Sequence, residues 1–75
     1  MYSKRDLQVR FGIADTTVVR TLVAAGLSTS KRRYTAEEVR QFEVARQLFN
    51  AGYSVKEVHY FFSLKEVSYV QQEAD

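Results

Sequence analysis

Asp15-Thr16-Thr17-Val18-Val19-Arg20-Thr21-Leu22-Val23-Ala24-Ala25-Gly26 is the stretch on which the reading of the fold turns. It opens with a helix-capping acid and closes with a residue that ends helices in the left-handed conformation. The ten residues from Thr16 to Ala25 predict a helix whose buried stripe is Val19, Leu22 and Val23, with Val18 at the margin. Leu27 supplies the hydrophobic contact expected just past the glycine. Upstream, Ser3-Lys4-Arg5-Asp6 is a cap with an acid in the first turn, opening a short helix from Lys4 to Phe11. Leu7 and Phe11 share a face of it, and Gly12 stops it. Two short helices joined by a turn containing glycine form a helix-turn-helix pattern.

Downstream, Leu27 to Tyr34 is polar and too short for a helix, and it fits a tight hairpin with basic residues at its tip and far strand. Thr35-Ala36-Glu37-Glu38 is a capping box for the longest helix, Ala36 to Asn50, on which Val39, Phe42, Ala45, Leu48 and Phe49 recur at helical spacing. Gly52 ends that helix. Ser54-Val55-Lys56-Glu57 opens a helix from Val55 to Phe62, and Ser63-Leu64-Lys65-Glu66 opens a last one to about Gln72. The expected fold is mainly α: a winged helix-turn-helix with a small β-hairpin wing and C-terminal helices. Residues 1–62 are expected to form one folded unit and residues 63–75 a C-terminal helix.

Composition narrows the function. At 75 residues, a chain of this size hides only roughly 60% of its unfolded surface on folding. Cysteine is absent and His59 is the single histidine, so neither disulfides nor a Cys/His zinc site can support the core. No cofactor or metal is expected. The sequence has no Gly-rich phosphate loop and no Ser/His/Asp set, and there is little room for a substrate pocket beside a core, which argues against an enzyme. No apolar run reaches the length of a membrane span. A soluble, cytoplasmic protein is expected.

Charge is split along the chain. Residues 1–33 carry seven cations against Asp6 and Asp15, a balance of +5, whereas residues 34–75 carry −3. A basic half beside an acidic half suggests that one end meets a polyanion. With Val19, Leu22 and Val23 turned inward, the second helix presents Thr16, Thr17, Arg20 and Thr21 at its N-terminal end. These suit base edges in a major groove: arginine forks onto guanine, and threonine offers a hydroxyl and a methyl. Lys31, Arg32 and Arg33 beside the turn are expected on backbone phosphate, joined by Lys4, Arg5 and Arg10 and by the helix start at Ser3.

The run Arg33-Tyr34-Thr35-Ala36-Glu37-Glu38-Val39-Arg40-Gln41-Phe42, followed by Leu48-Phe49-Asn50-Ala51-Gly52-Tyr53-Ser54-Val55-Lys56-Glu57-Val58, resembles the winged-helix DNA-binding domain of MerR-type regulators. The resemblance covers about residues 3–62. It implies that Thr16, Thr17 and Arg20 lie in the major groove and that Arg32 and Arg33 touch backbone from the wing. It also implies that Tyr34 packs under the wing, and that Tyr53, Ser54 and Lys56 form a second wing from which Lys56 reaches phosphate. The chain departs from that family in a longer turn at Gly12-Ile13-Ala14-Asp15 and in lacking an Arg-Tyr-Tyr run on the second helix. There, Arg20-Thr21-Leu22-Val23-Ala24-Ala25-Gly26 is similar to phage excisionases instead. The sequence ends where those regulators continue into a dimerisation helix and effector domain, so no small-molecule effector is expected within this chain.

The C-terminal aromatics bear on assembly. Adjacent Phe61 and Phe62 cannot share one helix face, so burying both requires contacts on two sides. Phe61, Phe62, Leu64, Val67 and Val70 are expected to form a homodimer interface, which would match an inverted-repeat DNA site. The leading expectation is a sequence-specific double-stranded DNA-binding protein, a transcriptional regulator of the repressor type. An excisionase-like protein that bends DNA is the first alternative, and a protein-interaction module using the aromatic C-terminus is the second.

Overall fold

The computed structural model describes the backbone of residues 1–74 and the side chains of residues 1–64. Four helices follow in order among the described residues: α1 (Lys4–Phe11), α2 (Asp15–Ala24), α3 (Ala36–Asn50) and α4 (Val55–Ala74). Local chemistry sets their ends. Ser3 and Asp6 exchange hydrogen bonds at the start of α1, and Thr35 and Glu38 do the same at α3. Ser54 and Glu57 repeat the arrangement at α4. In each, the serine or threonine oxygen accepts an otherwise unpaired backbone N–H while the acid accepts the cap's own N–H.

The helix ends are equally local. Beyond α2, Gly26 takes a φ of 75°. Its N–H bonds the Val23 carbonyl, and the Leu27 N–H reaches back to Leu22. This is a Schellman closure, with Leu27 folded onto the core that contains Leu22. The same closure recurs after α3, where the Gly52 N–H bonds Phe49 and the Tyr53 N–H bonds Leu48. α2 begins one residue earlier than its sequence predicts. Ala14 is the cap and makes no side-chain bond, while the Asp15 carboxylate accepts from the Gln8 amide at 3.2 Å, tying α1 to α2.

The core has two parts, with α2 lying between them. Leu7, Val18, Leu22, Tyr34, Val39 and Phe42 make one part; Ala24, Ala25, Ala45, Val58 and Phe62 make the other. Ala24 on α2 and Ala25 at its C-cap keep the surface low where it faces α4. This double docking overturns the predicted stripe. Val18, Thr21, Leu22 and Ala25 face inward at helical spacing, whereas Val23 is 53% exposed and Val19 only half-buried. The valine pairs allow either rotation by hydrophobicity alone. Requiring small residues against α4 selects the observed one.

The β-hairpin wing expected over Leu27 to Tyr34 does not form. The only β pairing among the described residues is an isolated antiparallel bridge between Tyr34 and Tyr2, with N···O distances of 3.0 and 2.6 Å. Ser28 and Ser30 bond each other, and the Tyr34 hydroxyl donates to the Ser28 carbonyl at 2.6 Å, so side chains hold this loop. The physical reason is composition. Leu27 and Tyr34 at the two ends are drawn into the core, leaving six polar or basic residues with no apolar face for a second strand to cover.

The two C-terminal helices are one. α4 runs from Val55 to Ala74 through Ser63, so the Ser63–Glu66 box is not a start. No glycine or proline interrupts this span, and a serine within a helix is tolerated when strong helix formers follow it. Phe62 is 8% exposed and belongs to the core, whereas Phe61 is 44% exposed and packs edge-on against it, centroids 5.2 Å apart. Phe62 is therefore not an interface residue. Val67 and Val70 lie outside the residues whose side chains are described.

Candidate nucleic-acid interface

The outer edge of α2 is the first component. Thr16 and Arg20 are exposed and Thr17 is half-buried. Thr21 is fully buried: its hydroxyl donates to the Thr17 carbonyl at 2.7 Å and accepts from the Arg46 guanidinium at 3.2 Å. It cannot reach a base, and the rotation of α2 toward two cores is the reason. Thr16, Thr17 and Arg20 are left of the four residues expected to read bases.

A groove of about 360 Å³ runs beside this edge, lined by Thr17 and Arg20 from α2, Arg46 and Phe49 from α3, and Tyr53, Ser54 and Val55 at the α3–α4 turn. No carboxylate lines it. The fold thus brings the edge of α2 against the second motif that the sequence singled out. Arg46 was not legible as a site residue, since its spacing on α3 marks only a helix flank. Its guanidinium sits 5.6 Å over the Phe49 ring and is half-buried. Among the described residues it has no carboxylate within ion-pair distance.

The loop and the N-terminus form a second group. The Tyr2–Tyr34 bridge places Arg33 near the start of α1, close enough for its charge to act on Asp6. Arg5, Arg32 and Arg33 are exposed and Lys4 is half-buried. Two expected phosphate contacts are altered here. Ser3 is engaged with Asp6 in both directions, and its N–H holds the Asp6 carboxyl below the usual carboxylate range, so an anion already occupies this helix start. Lys31 is paired with Glu38 at 2.8 and 2.9 Å. That hydrogen bond is the main reason Glu38 is held low, with the Thr35 N–H second. A carboxylate therefore relieves the crowding of Lys31, Arg32 and Arg33 in part.

Arg10 faces elsewhere. It lies 5.6 Å over the Tyr2 ring and lines a separate groove with Arg40 and Glu43 on the α1–α3 side. Lys56 is exposed at the start of α4. Tyr34 is buried with its hydroxyl on the Ser28 carbonyl, but the wing it was expected to pack under does not form. Tyr53 is half-exposed and lines two grooves rather than packing under a wing.

The second of those grooves, about 650 Å³, is largely apolar and shares Tyr53 with the first. Leu48, Tyr60, Phe61 and Leu64 face it, together with Lys56 and Glu57. Among the described residues no group of three or more His, Cys, Asp or Glu could hold a metal, and no helix is long and apolar enough to cross a membrane. Comparison with protein-family models, curated proteins and solved structures finds no match to this chain.

Proposed function

We propose that this chain is a cytoplasmic, sequence-reading double-stranded DNA-binding protein that acts as a transcriptional repressor, with the N-terminal half of α2 directed at the major groove. The observation that carries this reading is the exposed Thr16 and Arg20 edge beside a groove that holds a second arginine and no acid. α2 bears no carboxylate after Asp15, so nothing further along it repels a phosphate backbone. A solvated surface helix is better served by lysine and glutamate than by threonine, whose helix propensity is lower. The likeness of residues 33–58 to MerR-type regulators points the same way. Blocking a promoter requires no domain beyond the one that binds.

A second copy of the chain is the proposed protein partner, docked through the groove at Tyr60, Phe61 and Leu64. Lys56 and Glu57 both line that groove. A two-fold axis can therefore set each against the opposite charge of the other copy, which favours self-pairing over a strongly charged partner. Sedimentation with Phe61→Asp as the control tests this. Self-association abolished by the substitution is the expected result, and a monomer at all concentrations rejects it.

Selection of bound duplexes from a random pool tests the DNA reading directly. Arg20→Ala is expected to cost about 1–3 kcal/mol on the selected site and to relax its sequence preference, whereas Arg33→Ala weakens all sequences alike. If neither substitution changes DNA retention, the chain is an interaction module and the basic surface is incidental.

A further inference from the structure

Arg46 is costly to hold as it is held. Its side chain is half-buried, within cation–π distance of the Phe49 ring and bonded to the buried Thr21 hydroxyl. Ordering so flexible a side chain loses rotamer entropy, and partial burial removes water from a group that cannot shed its charge. A carboxylate partner would normally offset this, and none stands within ion-pair distance among the described residues. The guanidinium has five N–H donors, and one is used in the contact with Thr21. The same groove carries Arg20, the Thr17 side chain and no acid; the nearest carboxylate at that turn, Glu57, is bonded back into the start of α4.

We infer that the groove between α2 and the α3–α4 turn is a phosphate site in which Arg46, preset by Thr21 and Phe49, holds a phosphate oxygen of the duplex backbone. The inference rests on the DNA reading above and deepens it. Arg20 projects from the exposed edge of α2 toward bases, and Arg46 grips the backbone that flanks that groove, setting how deeply α2 enters. A preorganised guanidinium loses little further entropy on binding, and its planar fork matches a phosphate. Such a contact positions without reading sequence.

The test measures duplex affinity against salt for the wild type, Arg46→Gln and Arg46→Lys, with circular dichroism and thermal melting to confirm folding. Arg46→Gln is expected to weaken selected and random duplexes by the same factor, about tenfold. It is also expected to make the slope of log K against log salt shallower by about 0.9. Arg46→Lys, which keeps the charge, restores the slope. A folded Arg46→Gln protein with unchanged affinity and slope overturns the inference.

A parallel arm titrates inorganic phosphate into the wild-type protein and follows the arginine side-chain NMR signals. Movement of the Arg46 signal by phosphate, in a protein that binds no duplex, keeps the anion site and rejects DNA as its source. A still signal in a protein that binds no duplex rejects the site. Loss of folding in Arg46→Gln shifts the decision to the lysine variant and the wild-type titration, which need no disruptive change.

Discussion

Thr21 shows how one hydroxyl is diverted from recognition to architecture. Buried between α2 and α3, it closes a bond to Thr17 one turn earlier and offers its lone pair to Arg46. Thr21→Val keeps the shape and removes both bonds, so it is expected to lower stability by about 1 kcal/mol in chemical denaturation. Base preference in the random-pool selection should not change. A changed preference with unaltered stability would return Thr21 to the reading surface. Tyr34 is the comparable case in the loop, 1% exposed with its hydroxyl on the Ser28 carbonyl. Burial, and secondarily the charge of Glu38, raise its pKa above the ordinary phenol value. Because the folded form holds that proton more tightly, its contribution is complete below the ordinary phenol range and is lost as pH rises through it. Tyr34→Phe, which has no phenol to ionise, is expected to flatten the alkaline fall in melting temperature.

At the scale of elements, three helix starts use the same device, and all three carry ionised acids. Asp6, Glu38 and Glu57 are each held below the usual carboxylate range, Asp6 and Glu57 chiefly by the cap N–H and Glu38 chiefly by Lys31. The unfolded chain takes up protons at these positions before the folded one does. The stability they contribute is therefore whole above the ordinary carboxylate range and is lost as pH falls through and below it, from roughly pH 5 downward. Thr35→Ala should lower stability by about 1 kcal/mol at neutral pH and reduce the acid dependence in a pH series of thermal melts. On α4, neighbouring phenylalanines diverge. Phe62→Ala opens the core under α2 and α3 and is expected to cost about 3 kcal/mol. Phe61→Ala should leave the monomer's melting nearly unchanged and weaken self-association instead.

At the scale of the whole molecule, the cations form separate groups. Arg33 comes close to the start of α1, which carries Lys4 and Arg5, while Arg20 and Arg46 share the α2 groove and Arg10 lines another with Arg40. Lys31 is neutralised by Glu38. With Lys4, Arg5, Arg32, Arg33, Arg46 and Lys56 on phosphates, the expected salt slope per chain is about −5. A measured slope close to zero would mean that these groups do not face one duplex together.

The starts of α1, α3 and α4 and the Gly26 and Gly52 closures were legible in the sequence, because each acts within three to five residues. The Ser63–Glu66 box, by contrast, resembled a start that the continuous α4 does not make. The charge split and the polar N-terminal edge of α2, on which the DNA proposal rests, were legible too. Which face of α2 turns inward was decided only by docking against two cores at once, since the valine pairs satisfy either rotation equally. The missing hairpin and the Tyr2–Tyr34 bridge depend likewise on segments far apart in the chain. Arg46 met Thr21 across 25 positions. A bond of that span forms only where packed helices bring its ends together, so no local pattern around Arg46 could announce it.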